Sequence, residues 1–389
     1  MRRSVGLVLI IAAFALFVGC RTDPIGPNSV SLNSARAQTV KLKDMANNRT
    51  GHTATLISDT ANETTVLFVG GGGSACNREL YRFGRGSDVL YFESVCRIDH
   101  TATKLSDGGV LIAGGQSSLQ IASETLSSAE IFSPSTTNFA YTGNLTTARY
   151  GQNAILLNDG TVLITGGFVT DRAEQKKTSI ASAELYDPRL GQFSLLPDMN
   201  YPRAAHSTTL LDDGSVLVIG GTIVHTPIER YLPTEKRFES IESTEIARSN
   251  HSSTMLMDGK VLIAGGVNES SVTLADAVLF DPKTESYSAT GLMNVGRTGH
   301  TASMLSDGSV ALVGGNGADQ WALASIEIYD PVFREFSMVS YLSRPRTNHT
   351  ATFIASLEGV LVAGGWGRLS ITGPIIMRDI ELFSTGAMP

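Results

Sequence analysis

The stretch RTGHTASMLSDGSVALVGG, residues 297–315, gathers Arg297, His300, Asp307 and the pair Gly314-Gly315 within nineteen residues. A guanidinium, an imidazole and a carboxylate beside glycines could serve acid–base catalysis, hold a metal or cradle an anion. The same residue types recur along the chain. Arg stands at Arg49, Arg97, Arg149, Arg203, Arg248, Arg297 and Arg346. His follows three residues later at His52, His100, His206, His251, His300 and His349, with Gln152 in the remaining place. A metal centre would need several imidazoles converging on one ion at about 2.0–2.1 Å. A His that returns at the same point of every unit is more simply a building device. It can hydrogen-bond backbone at the start of a strand and satisfy buried polar groups.

The spacing of these residues points to the elements that must position them. Gly-Gly pairs recur at Gly70, Gly114, Gly166, Gly220, Gly265, Gly314 and Gly364, separated by 44 to 54 residues. Each unit runs in the same order. An Arg-led segment comes first, then a turn that is usually Asp-Gly, as at Asp107-Gly108 and Asp307-Gly308. The turn residues predict a tight hairpin with a primed turn, because glycine supplies the positive φ. An apolar run such as Val110–Gly115 ends in Gly-Gly and reads as a strand buried on both faces. A variable loop, a strand carrying an aromatic, and a last strand complete the unit. Four short antiparallel strands at a period near 50 residues describe one propeller blade, here with strands a to d.

Over residues 39–389 the chain resembles kelch-repeat proteins. The resemblance is carried by Gly-Gly after strand b and by the aromatics Tyr81, Phe132, Tyr186, Tyr231, Phe280, Tyr329 and Phe383. The family's usual Trp after strand c is replaced by Phe139, Phe193, Phe238, Tyr287 and Phe336. The expected fold is all-β, a seven-bladed β-propeller of four-stranded antiparallel blades. The last repeat lacks a d strand, so residues 39–48 are expected to complete blade 7 and close the ring, removing two open edges. Strand c also carries Glu79, Glu130, Glu184, Glu229, Glu327 and Glu381, with Val278 as the exception. These acids are expected to pair with the periodic Arg, whose planar fork meets a carboxylate bidentately.

The N-terminal MRRSVGLVLIIAAFALFVGC has the charged start, apolar run and small-residue end of an export signal. It resembles a bacterial lipoprotein signal, which implies cleavage after residue 19 and lipidation of Cys20; an ordinary secretory signal with an incidental Cys is the alternative. Residues 20–38, rich in Pro, Ser and Asn, read as a flexible tether. The expected location is the cell envelope, at the outer membrane if the bacterium is Gram-negative. Two cysteines remain, Cys76 in the b–c loop of blade 1 and Cys96 at the end of its d strand. Export exposes them to an oxidising compartment, and the meander puts both on one face, so a disulfide is expected; two free thiols are the alternative.

A mildly acidic chain, with formal charge −7 and no long Lys/Arg run, gives nucleic acid no electrostatic footprint. No Gly-x-Ser-x-Gly elbow, His-Glu-x-x-His or Walker-type loop occurs. A galactose-oxidase-like copper site would need His outside the repeat and a Tyr–Cys pair, and the only such His is His225. No cofactor or metal is therefore expected. Function in a propeller sits on loops, and the b–c loops vary most: residues 116–128, 168–182 and 366–378. Arg172, Trp366 and Arg368 lie in these loops and Trp321 in the b–c loop of blade 6, and with Gln152 nearby they are the candidate binding residues. Trp offers a broad apolar surface with one donor, suited to stacking on a sugar or gripping a protein loop. The expectation is a monomeric, lipid-anchored scaffold presenting its loops to an envelope protein or glycan. The alternative is a carbohydrate-active lyase, hydrolase or epimerase with paired carboxylates at the channel mouth.

Overall fold

The structure, a computed structural model, describes residues 37–60, 62–73, 78–90, 95–117, 124–171, 176–222, 227–241, 246–370 and 373–386. The signal segment, Cys20, the tether up to residue 36, Cys76, Arg172 and His225 lie outside the described residues, as does the side chain of Arg368.

Seven four-stranded antiparallel sheets form a ring, a seven-bladed β-propeller. Strands a to d of blade 1 are Thr53–Thr60, Glu63–Val69, Arg78–Arg82 and Gly86–Leu90. Blade 2 is Thr101–Lys104, Val110–Ala113, Ala129–Ser133 and Asn138–Tyr141. Blade 3 is Asn153–Leu156, Val162–Thr165, Ala183–Asp187 and Gln192–Leu195. Blade 4 is Ser207–Leu210, Val216–Ile219, Ile228–Leu232 and Arg237–Ile241. Blade 5 is Ser252–Met255, Val261–Ala264, Ala277–Asp281 and Ser286–Ala289. Blade 6 is Thr301–Met304, Val310–Val313, Ser325–Asp330 and Glu335–Tyr341.

Blade 7 takes three strands from the C-terminal end, Thr350–Ile354, Gly359–Ala363 and Ile380–Ser384. Its d strand is Gln38–Lys41, antiparallel to strand c in the register Gln38 to Ser384 and Lys41 to Glu381. The expected ring closure is therefore observed, but the paired segment is shorter than residues 39–48. Beyond Lys41 the chain stays on blade 7 through single backbone bonds, Leu42 N–H to Ile380 O and Met45 N–H to Arg378 O. A 3-10 turn at Ala355–Leu357 is the only helical element among the described residues.

The apolar b strands explain why blades stack. Alternate side chains of a strand point to opposite faces, and each face of strand b feeds a different seam. Leu262 and Ala264 join the cluster shared with blade 6, whereas Val261 and Ile263 join that shared with blade 4. Each of the seven seams has its own buried cluster, including the closing seam where Ala363 and Ile380 meet Val66 and Phe68. Strands c and d are tied by directly opposed aromatic pairs, such as Tyr186–Phe193 and Tyr329–Phe336, with centroids 4.7 and 4.9 Å apart. These Phe and Tyr fill the place of the missing Trp.

The Asp-Gly turns differ from the expected primed type. Leu105 and Gly109 close the hairpin across three residues, with Gly108 N–H bonding Leu105 O. This is a type I turn followed by a left-handed glycine, φ +88° at Gly108. The Asp107 carboxylate accepts the Gly109 N–H at 2.9 Å, and the corresponding Asp of blades 3 to 6 does likewise. A side chain that captures a backbone donor favours the longer turn.

Candidate binding face

The Arg, His and Gly-Gly residues lie where strand a starts and strand b ends, on the face of the b–c loops. Each periodic Arg is almost fully buried. Its Nη1 donates to the carbonyl of the first glycine in its own blade at 2.7–3.0 Å. Its own carbonyl accepts the N–H of the second glycine of the preceding blade at 2.8–3.0 Å. Gly365 bonds Arg49 O in the same way, so all seven seams are stitched. The approach leaves no room for a side chain: a Cβ on Gly314 would sit 2.6 Å from Arg346 O and 2.9 Å from His349 Cε1.

The predicted ion pairs form in six blades: Arg49–Glu79, Arg97–Glu130, Arg149–Glu184, Arg203–Glu229, Arg297–Glu327 and Arg346–Glu381. Most of these glutamates also accept backbone N–H groups of the d–a connection, as Glu327 does from Asn294 and Val295. Burial pushes the Glu79 carboxyl up, but Arg49 and the bonds from Ala46 and Asn47 bring it below its ordinary value. In blade 5, where Val278 replaces Glu, Arg248 pairs instead with Asp276 at 2.7 Å, a side chain 41% exposed.

The His series forms a second ring. Each Nε2 meets a hydroxyl of the preceding blade at 2.8–3.1 Å: His52 with Thr350, His100 with Thr53, His206 with Thr165, His251 with Ser207, His300 with Ser252 and His349 with Thr301. Gln152 takes the same role, donating from Nε2 to Ala113 O at 2.9 Å. It is buried, so it is a seam residue and leaves the set of candidate binding residues. Burial, aided by the neighbouring Arg, holds the imidazoles neutral, and His251 and His349 fall to about 3. No three His, Cys, Asp or Glu side chains among the described residues come together as a metal site.

Nearer the axis, the residue just before each of these His or Gln adopts the left-handed conformation in every blade: Gly51, Asp99, Gly151, Ala205, Asn250, Gly299 and Asn348. Neighbouring blades bond through this ring, with Asp99 N–H to Gly51 O, Gly151 N–H to Asp99 O and Gly299 N–H to Asn250 O. Glycine would hold such a φ at least cost, yet three positions carry exposed polar side chains, Asp99, Asn250 and Asn348. Above them the b–c loops rise, two as ribbons: Phe168–Asp171 with Lys176–Ser179, and Trp366–Ser370 with Gly373–Ile376.

The ribbon of blade 3 builds a cluster that the repeat does not copy. Tyr150 follows the Arg and Phe168 follows Gly-Gly, positions that pair across the blade, and their rings lie 5.4 Å apart. Lys177 Nζ stands 3.5 Å from the Phe168 centroid and 5.1 Å from that of Tyr150. Asp99 lies within electrostatic reach. Although Asp99 keeps a solvent-exposed side chain, the protein packed around it desolvates its carboxyl and raises it above the ordinary value, and Lys177 offsets part of that rise. Sequence reasoning singled out this loop but chose Arg172. The available signal was the pair of aromatics at two positions that the repeat brings together.

Trp321 sits at the tip of the blade 6 loop, 42% exposed, its backbone N–H donating to Asp319 Oδ1. Trp366 is half-buried and starts the blade 7 ribbon, bridged to Thr347 and paired with Ile376. Cys96 is disulfide-bonded.

No protein-family profile and no curated protein matches the chain. Solved structures do. One is described as a novel fungal alcohol oxidase with catalytic diversity among the AA5 family, in complex with copper. It is 16% identical, with a TM-score of 0.68, over 89% of this chain and 75% of that one. At that identity the likeness concerns the fold alone.

Proposed function

We propose that this protein is a kelch-type, lipid-anchored binding module of the bacterial cell envelope that holds a protein or glycan on the loop face of its propeller. The observation that carries the reading is the cluster at the axis mouth. There a lysine stacked on Phe168 stands beside Asp99, on a ring that also offers Asn250 and Asn348. A cation over an aromatic face, with amide and carboxylate groups beside it, supplies both a stacking surface and directional hydrogen bonds. Trp366 and Trp321 extend the apolar part of the same face. The periodic Arg, His and Glu take no part, because they are buried and the Arg Nη, His Nε2 and Glu carboxylate groups are engaged in the blades and seams.

The test pairs a glycan array with a pull-down from envelope extract. Lys177→Ala and Phe168→Ala are expected to abolish capture while leaving thermal stability within a few degrees of the parent. Retained capture by both variants would refute the site.

A second reading is an enzyme with its site at the same mouth; the fold it would use is one that a copper alcohol oxidase shares. The described residues do not fit a copper centre. Each described His is buried and spends Nε2 on a hydroxyl of the preceding blade. The enzyme reading therefore rests on Asp99 as an acid whose proton is held more tightly than usual, beside the Lys177 ammonium. Polysaccharide cleavage by the parent and its loss in Asp99→Asn would support that reading; no cleavage of any tested glycan would leave the binding module.

A further inference from the structure

The face opposite the loops carries its own departures from the repeat. At the c–d turns the two tip residues are Ser135-Thr136, Arg189-Leu190, Thr234-Glu235 and Lys283-Thr284 in blades 2 to 5. In blade 6 they are Val332-Phe333, 81% and 65% exposed. The tip is built to present them: Asp330 Oδ1 accepts both backbone N–H groups at 2.8 and 3.1 Å, and Arg334 turns left-handed behind them. At the a–b turns, blades 2, 3, 4 and 6 begin with Ser106, Asn158, Asp212 and Ser306, whereas blade 5 has Met257, 68% exposed. Met257 lies against the neighbouring turn of blade 6, its Sδ 3.0 Å from where a Cβ of Gly308 would stand.

The described chain also begins on this face. Gln38 pairs with Ser384, the end of strand c that leads away from the loops. The closing strand runs beside blade 6, where the Thr39 hydroxyl meets that of Ser340 at 3.1 Å. A lipid on Cys20 would thus be joined, through about 18 residues spanning at most about 60 Å, to the side of the ring that bears the apolar tip.

We infer that this turn face is a membrane-contact surface, with Val332, Phe333 and Met257 entering the interfacial zone of a lipid bilayer and the loop face turned outward. The inference rests on the lipid-anchor reading above. Exposed apolar side chains gain by leaving water at the headgroup boundary, and an anchor on the same side removes the cost of encounter. On this face Lys260 pairs with Asp258 at 2.7 Å, and Lys283 and Arg334 share their turns with Asp281 and Asp330; with no excess of positive charge at these turns, the surface fits zwitterionic rather than anionic headgroups.

The experiment reads depth, not attachment. The mature chain, residues 20–389, is coupled through Cys20 to a maleimide lipid in phosphatidylcholine–phosphatidylethanolamine vesicles containing brominated acyl chains. This supplies the anchor whether or not the cell does. Phe333→Trp is expected to add fluorescence that the bromolipid quenches roughly twofold, because an interfacial side chain lies about 5–10 Å deep. Val272→Trp, on an exposed loop of the other face, should add fluorescence that is not quenched. Equal quenching of the two, or none for Phe333→Trp, would overturn the inference. So would a concentration-dependent dimer lost in Phe333→Ser, which would assign the patch to a second copy. Mass analysis of the N-terminus from membranes tests lipidation separately.

Discussion

At the scale of the residue, the periodic Arg and Glu are committed to each other. Removing one charge from a buried pair leaves the other uncompensated, at a cost of about 3–5 kcal/mol. Glu327→Gln should destabilise by that order in chemical denaturation, since Arg297 and Glu327 are both fully buried. Asp276→Asn should cost under about 1 kcal/mol, because an exposed partner is screened by water. Equal costs would contradict the account. The six pairs were legible from spacing alone. The seventh was not, because its acid moved two positions along the chain when Val278 took the place of Glu. The histidines make a second residue-scale prediction. They are neutral in the fold, with His251 and His349 at about 3, but take up protons near the ordinary 6.5 once unfolded. The unfolded state therefore binds more protons, and stability falls as pH drops below about 6.5, by up to ~1.4 kcal/mol per unit for each His. Melting temperatures between pH 7 and 4 should show the decline, and His300→Gln, which copies Gln152, should make it shallower. A flat profile would refute the buried, neutral ring.

At the scale of the element, the Gly-Gly pair is the joint between strand b and the next blade. Strand b was legible as a run apolar on both faces, and its two-sided burial in adjacent seams is the reason. The purpose of the glycines was not legible, because the atom they approach, the Arg carbonyl of the following blade, lies some 30 residues on. Gly314→Ala would need φ near +57° and would press a methyl against Arg346 O. The conformational part alone costs about 1–2 kcal/mol. The variant should unfold at lower denaturant, with hydrogen exchange first rising along the seam of blades 6 and 7. Protection lost uniformly around the ring would count against a local stitch. The Asp-Gly turns carry the opposite lesson: the residues marked the turn, but a side-chain bond from Asp selected its length.

At the scale of the whole molecule, the ring divides scaffold from surface. The number of blades and the closure by the N-terminal strand followed from the repeat, since seven copies and a missing last strand leave one place for residues 38–41. The axis mouth did not follow, because Asp99 and Lys177 come from different blades and share no local spacing. Among the sequence candidates, Gln152 proved to be part of the seams, while Trp321 and Trp366 stand on the loop face. The central claim is that the repeated Arg, His and Glu hold the ring while the unrepeated cluster binds. The most direct measurement is capture of the ligand recovered from envelope extract or glycan array by the parent, Lys177→Ala and His300→Gln, with melting temperature recorded for each. The account predicts that Lys177→Ala melts like the parent and fails to bind, whereas His300→Gln melts lower and binds as the parent does. Binding kept by Lys177→Ala and lost by a folded His300→Gln would contradict it.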